Sequence, residues 1–240
     1  MVNSNPPINE LVIGVQLDAN LIGNAELFTL YERFKSKFTR IEESNTLPTF
    51  IIRDDIFNFN NQQLLPGTRK IFVSEKDNAL LQLQSNKFWY NWRQSTGTEV
   101  YPGYDKIKNE WVSIVNELVE IISNLCSSVN LIELTYVDMI DLTYRGLTNF
   151  GTGDLFANIE FSDKTKHLEM FDIQEIIENK AYLYRNINSA NRKLDNSNVI
   201  RLEMTARGSN KFSNVSDMES NLNDFHDILS KEFYSLLPNL

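Results

Sequence analysis

The sequence predicts an α+β fold, an antiparallel-rich sheet of about seven to nine strands with three main helices on one side of it. Three observations carry that prediction. Strand-like runs come in groups between the helical stripes and do not alternate with them one for one, which is the pattern of an antiparallel-rich sheet. A polar four-residue connection, Glu75-Lys76-Asp77-Asn78, joins two alternating runs as a hairpin does. With 42% hydrophobic, 23% charged and 11% aromatic residues, the 240-residue chain can also bury a sizeable core, so a single domain over residues 1–240 is expected.

The elements follow in order. After Asn5-Pro6-Pro7, the segment Glu10 to Leu17 (ELVIGVQL) is short, apolar and β-branched, and predicts a strand buried on both faces. Asn24 stands at an N-cap position. Leu27, Leu30, Tyr31, Phe34 and Phe38 then recur at three- and four-residue steps, predicting an amphipathic helix over 25–38. From Arg40 to Gly67 the pattern is irregular, with an edge strand near Phe50 to Ile52 and otherwise loop. Thr68 to Ser74 and Ala79 to Gln84 form the hairpin, and Lys87 to Arg93 (KFWYNWR) is a further strand.

Beyond the Tyr101-Pro102-Gly103-Tyr104 turn, Ile107, Trp111, Ile114, Val115, Leu118, Ile122 and Leu125 trace the longest helix expected in the chain. In Leu131 to Leu142, Ile132, Leu134, Tyr136, Asp138 and Ile140 share one face. Glu133, Thr135, Val137, Met139 and Asp141 share the other. Strands are expected at Asp154 to Phe161 and from Glu169 to about Tyr184, with a polar turn or loop from Asn188 to Asn198. Val199 to Arg207 alternates clearly, with Ile200, Leu202, Met204 and Ala206 inward and Arg201, Glu203, Thr205 and Arg207 outward. Ser216 and Glu219 suggest a capping box for a C-terminal helix whose core face is Met218, Leu222, Phe225, Leu229, Phe233 and Leu236. Strands and helices in 8–126 are echoed in 131–240, consistent with a duplicated β-α-β-β-β-α type unit, although no residue-level repeat is visible.

Composition narrows the function classes. A formal charge of −9 sets the overall field against phosphate backbones and anionic membranes, so nucleic acid is disfavoured as a partner. The nearest basic stretch is Arg185, Arg192, Lys193, Arg201, Arg207 and Lys211. One cysteine, Cys126, excludes an intrachain disulfide and reads as an inert thiol in an apolar helical stretch. The first ten residues have no basic or apolar leader pattern, and no apolar run approaches the roughly 20 residues of a membrane span. A cytoplasmic location is expected.

Four segments together, NPPINELVIGVQL at Asn5 to Leu17, LLQLQSNKFWYNWR at Leu80 to Arg93, YPGYDKI at Tyr101 to Ile107 and ELTYVDMI at Glu133 to Ile140, resemble a functionally uncharacterised family of prokaryotic proteins of about this length. That resemblance spans essentially the whole chain and implies no catalytic residue set. The family's sporadic distribution suggests mobile or defence-associated genes.

The residues themselves offer several candidate chemistries. On the KFWYNWR strand, Trp89, Asn91 and Arg93 share a face: an aromatic plate beside an amide and a guanidinium suits a planar or anionic ligand, while a buried central strand explains the same pattern structurally. Tyr101 and Tyr104 either line a pocket's lip or simply seat a rigid turn. Arg201 and Arg207 on one polar face are either solvated or, beneath a covered concave sheet, an anion site with Arg93. Asp138 with Glu160, Glu169 or Glu203 could hold a divalent metal for hydrolase or nuclease chemistry. His167 and His226 are the two histidines; His226 reads as a boundary position on the last helix. No Walker loop, GxGxxG, GxSxG or HExxH is present, Gly151-Thr152-Gly153 is too short to claim a phosphate, and no cofactor is expected.

These readings favour a non-enzymatic binding or interaction protein acting with a protein partner or by self-association, a homodimer being admissible. Its expected surface is built around Trp89, Asn91, Arg93 and Tyr104. The alternatives are the metal-dependent hydrolase or nuclease, and nucleic-acid binding through Arg185 to Lys211.

Overall fold

The computed structural model describes residues 7–53, 56–63, 67–97, 99–141, 171–177, 181–191, 198–209 and 211–236. Among them the α+β prediction holds. The elements are β1 (Ile8–Leu17), α1 (Asn24–Phe34), β2 (Phe38–Asn45), β3 (Thr49–Arg53), β4 (Ile56–Gln63), β5 (Thr68–Ser74), β6 (Ala79–Gln84), β7 (Lys87–Arg93), α2 (Tyr104–Ile121), β8 (Val129–Asp141), β9 (Phe171–Ile177), β10 (Ala181–Asn191), β11 (Asn198–Gly208) and α3 (Val215–Leu236). Nine strands form one antiparallel sheet in the order β2-β5-β6-β7-β1-β8-β11-β10-β9, and β3 pairs with β4 separately.

The order is built outward from a central antiparallel pair, β1 and β8, with Ile13 opposite Leu134. On one side β1 is followed by β7, β6 and β5; on the other, β8 is followed by β11, β10 and β9. Each half closes with a helix, α2 after β7 and α3 after β11. The two halves therefore share a connectivity although their residues show no repeat.

Side-chain alternation divides the sheet into two unlike faces. Leu11, Ile13, Val15 and Leu17 of β1, Phe88, Tyr90 and Trp92 of β7, Leu81 and Leu83 of β6, Leu134 and Tyr136 of β8, and Leu202, Met204 and Ala206 of β11 enter one core with Trp111 of α2 and Phe225 of α3. Each large apolar side chain buried there contributes about 1.5–3 kcal/mol of transfer free energy. Tyr31 of α1 stacks on Phe72 with centroids 6.3 Å apart, and the Tyr90 hydroxyl donates to Glu110 of α2, so all three described helices lie on this face.

Several expectations are corrected. Between Arg40 and Gly67 the expected strand near Phe50 to Ile52 is β3, but the flanking stretches read as loop contain β2 and β4. Helix α1 ends at Phe34, and Phe38 opens β2; the two rings still meet edge to face at 6.2 Å, so a helical spacing of apolar residues spans a change of element. Helix α1 begins at Asn24 itself, one residue earlier than expected, with Gly23 at the cap position and Glu26 accepting from the Gly23 backbone N–H at 3.0 Å. Among the described residues the longest helix is α3, not α2. Its cap is Asn214, which accepts from the Asp217 N–H at 2.9 Å while Asp217 accepts from the Ser213 N–H at 2.9 Å, displacing the expected Ser216–Glu219 box. The run from Glu169 to Tyr184 is two strands, β9 and β10, and β10 continues to Asn191, where it pairs with Asn198. The expected strand at 154–161 lies outside the described residues.

Candidate functional site

The second face of the sheet carries no described helix, yet its centre is buried and polar. Gln16, Lys87, Asn91, Glu133, Thr135 and Thr205 all expose 8% or less of their surface. Register explains how they meet. Gly14 lies opposite Trp89 on one side and Glu133 on the other; Glu133 in turn lies opposite Arg207, and Trp89 opposite Gln82. The row Gln82, Trp89, Gly14, Glu133, Arg207 thus crosses five adjacent strands.

Gly14 is the keystone of that row. A Cβ there would come within 2.6 Å of Glu133 Oε1 and 2.6 Å of Trp89 Cδ1, so only glycine lets the two side chains close over the β1 backbone. The Trp89 indole N–H donates to Glu133 Oε1 at 2.9 Å, and Arg207 Nε donates to Glu133 Oε2 at 2.7 Å. Burial works against the charge on Glu133, but Arg207, the Trp89 N–H and Lys87 outweigh it and hold its carboxyl below the usual range. Lys87 stands over the Trp89 ring at 5.5 Å and donates to the Pro48 carbonyl. Burial pulls its ammonium down to about 8, with Glu133 opposing and Arg207 adding to that shift.

The flanking rows are bonded across strands as well. Thr135 and Thr205 share a hydrogen bond at 2.8 Å. Asn91 donates to Glu10 at 2.7 Å and accepts from Gln82 at 2.9 Å. Toward one end the face opens into a half-exposed rim, where Arg201 pairs with Glu203 at 2.5 Å.

The candidate residues are therefore divided. Trp89, Asn91, Arg201 and Arg207 stand on the polar face. Arg93 shares their side of β7, but its Nε donates to the Asp77 carbonyl at 2.9 Å and its Nη2 to the Asp77 carboxylate at 2.5 Å, securing the β5–β6 turn, where Asp77 has φ 57°. Tyr101 and Tyr104 lie on the helix face, so the expected single surface joining Trp89 to Tyr104 is split by the sheet itself. Gly103, at φ 94°, turns the chain into α2 between those tyrosines. Tyr101 packs edge to face on Trp92 at 5.4 Å, and Tyr104 stacks on His226 at 4.0 Å. Glu133, Gly14 and Lys87 were missing from the expected site; their importance lies in pairings between strands far apart in sequence.

The geometry also bears on the alternatives. Asp138 pairs with Leu202 and points to the helix face, whereas Glu203 is on the polar face, so these two carboxylates do not converge. Glu160, Glu169 and His167 lie outside the described residues, as do Gly151-Thr152-Gly153 and the Arg192-Lys193 pair. No group of three metal-ligating side chains occurs among the described residues. In the basic stretch, Arg185, Arg201 and Arg207 are each bonded to a carboxylate, those of Glu232, Glu203 and Glu133. Cys126 is buried, which raises its thiol. No helix among the described residues is long and apolar enough to cross a membrane. No model of a known protein family matches the chain, and no curated protein matches it either.

Proposed function

We propose that this chain is a non-enzymatic binding protein that recognises a protein partner through the polar face of its sheet, with the Trp89–Glu133–Arg207 row and Asn91 as floor and Arg201, Glu203 and Glu10 as rim. One observation supports this above the others: a row of hydrogen-bonded polar and charged side chains lies buried on the face that no described helix covers. Apolar residues there would stabilise the fold as well or better, because taking charges out of water costs several kcal/mol per ion before pairing repays it. A network kept at that cost holds the floor rigid, and a partner without donors and acceptors that match the rim would leave the groups there unpaired. Its charges are also matched within the chain, which favours orientation and selectivity over the polarising of a substrate. Partners encoded nearby, as the resemblance to a sporadically distributed family suggests, are the natural candidates.

Native mass spectrometry of the protein isolated from its own host tests the reading. A stable heteromeric mass is expected, and Trp89→Phe, which keeps an aromatic ring but removes the donor to Glu133, should weaken it about tenfold, the equivalent of about 1.4 kcal/mol. A wild-type chain that runs only as a bare monomer overturns the proposal.

A further inference from the structure

Strand β2 ends the nine-stranded sheet, and among the described residues it pairs with β5 alone, so the other side of its backbone meets no described strand. Such an edge is a template on which a further strand can add. Thr39, Arg40, Ile41, Glu42 and Glu43 are all exposed, Ile41 at 41%, so the edge is open along that run.

The two sides of this edge differ. Ile41 lies opposite Phe72, whose ring stacks on Tyr31 of α1, so Ile41 stands on the helix side of the sheet. Phe28 of α1 is 67% exposed. Arg33 turns its side of α1 toward α2, bonding Glu117 at 2.5 Å and Glu120 at 2.6 Å, and Phe28 stands about 140° round the helix from it. Because α2 meets β7 through Tyr90 and Glu110, while β2 lies beyond β5 in the other direction, Phe28 is on the flank of α1 nearer the open edge. On the opposite side of β2, Arg40 and Glu42 bond each other along the strand at 2.8 Å, with side chains 53% and 50% exposed. Their neighbours across β5, Val73 and Ile71, carry no charge, and Arg40 reaches Asp77 only at 3.4 Å.

We propose that two copies of this chain join β2 to β2, antiparallel, about a twofold axis at Ile41, so that one sheet continues into the other. The charges select that register. Centred on Arg40, the pairing would set guanidinium against guanidinium; centred on Glu42 or Glu43, it would set carboxylate against carboxylate, and like charges directly opposite are destabilising. Centred on Ile41, Arg40 meets the partner's Glu42, and symmetry makes that pair twice. The two Ile41 side chains then meet on the axis, on the side where Phe28 of each copy is exposed. Charges that turn away an unmatched strand thus admit a second copy. The axis stands normal to the sheet, which places the helices of both copies on one side and both polar faces on the other. Dimerisation therefore leaves the polar face open and does not depend on what binds there.

Sedimentation of the purified full chain between about 1 and 100 µM tests the pairing. The wild type should form a dimer. Arg40→Glu and Glu42→Arg should each weaken it at least about tenfold, because each sets two like-charged pairs across the axis. The double variant, Arg40→Glu with Glu42→Arg, restores opposite charges in the same register and should return to within about threefold of the wild type. A wild type that stays monomeric overturns the proposal, as does a dimer that survives both single reversals or a double variant as weak as the singles. Amide exchange in the wild-type chain reads the same contact without substitution: exchange within 39–43 should slow as concentration rises, and a rate independent of concentration refutes the pairing.

Discussion

The two faces of this sheet solve the problem of burial in opposite ways. Toward the helices, Leu11, Ile13, Tyr90, Leu134 and Met204 fill space around Trp111 and Phe225, and stability comes from apolar area removed from water. On the other face, Trp89, Glu133, Thr135 and Thr205 are comparably buried, with Arg207 partly so, and what holds them is geometry: donors meet acceptors across strands. An apolar face tolerates substitutions that keep its volume. A polar face tolerates none that leave a partner behind.

That difference is sharpest in paired replacements. Glu133→Ala strands Arg207, with Lys87 close by, in a buried site and should cost about 3–5 kcal/mol in urea unfolding. Replacing both partners, Glu133→Leu with Arg207→Met, should recover part of that loss, because the Arg207 charge leaves with its partner while Lys87 and the Trp89 N–H still lose the carboxylate. A cost for Glu133→Ala below about 1 kcal/mol would place the carboxylate in water and dissolve the distinction between the faces. On the helix side, Phe225→Ala should also cost about 3–5 kcal/mol, but there the loss is of area and the cavity left behind. Its partial remedy is Phe225→Leu, a change of volume and not of charge.

Gly14→Ala should cost less, about 1–3 kcal/mol, because one methyl must push aside the Glu133 side chain, at Cγ and Oε1, and the Trp89 ring. The effect is specific to the polar row. Ala at this position keeps the strand's backbone, so a loss of that size combined with a rise in the exposure of Trp89 fluorescence would show the row opening over β1. Unchanged stability and fluorescence would mean that the row closes without help from the missing Cβ.

The same contrast explains what could be read from the chain alone. The inward faces of β7, β8 and β11 were legible because alternation is a local property: Tyr90, Leu134 and Leu202 need only their own strand to declare a side. The outward positions of Trp89, Asn91, Arg201 and Arg207 were legible for the same reason. Their partners were not. Glu133 lies 44 residues from Trp89 and 74 from Arg207, and Gly14 is merely a small residue in an apolar run until β7 and β8 flank it. Edge strand β2 was missed because FTRIEESN exposes charges that protect an unpaired edge, and such a sequence resembles a loop. The Asn-rich end of β10 was misread because asparagine favours turns; here Asn188 donates to Asn186 at 3.2 Å and Asn186 to the Tyr184 hydroxyl at 3.3 Å, a side-chain ladder that sits along a strand.

The smallest effect on stability separates folding from recognition. Arg201 and Glu203 lie at the rim with side chains 29% and 27% exposed, and their 2.5 Å contact is between neighbours on one face of β11. Water screens such a pair, so Arg201→Ala should change unfolding free energy by no more than about 1 kcal/mol. Its guanidinium nonetheless stands where an approaching partner would first meet the polar row, and charged rim groups govern association rate more than the strength of the final contact. The variant should therefore fold like the wild type and capture its partner more slowly, with a weaker dependence on salt. If capture is unaffected, recognition does not enter from the Arg201 rim, and the search moves to the opposite end of the row, where Gln16 and Lys87 close the floor.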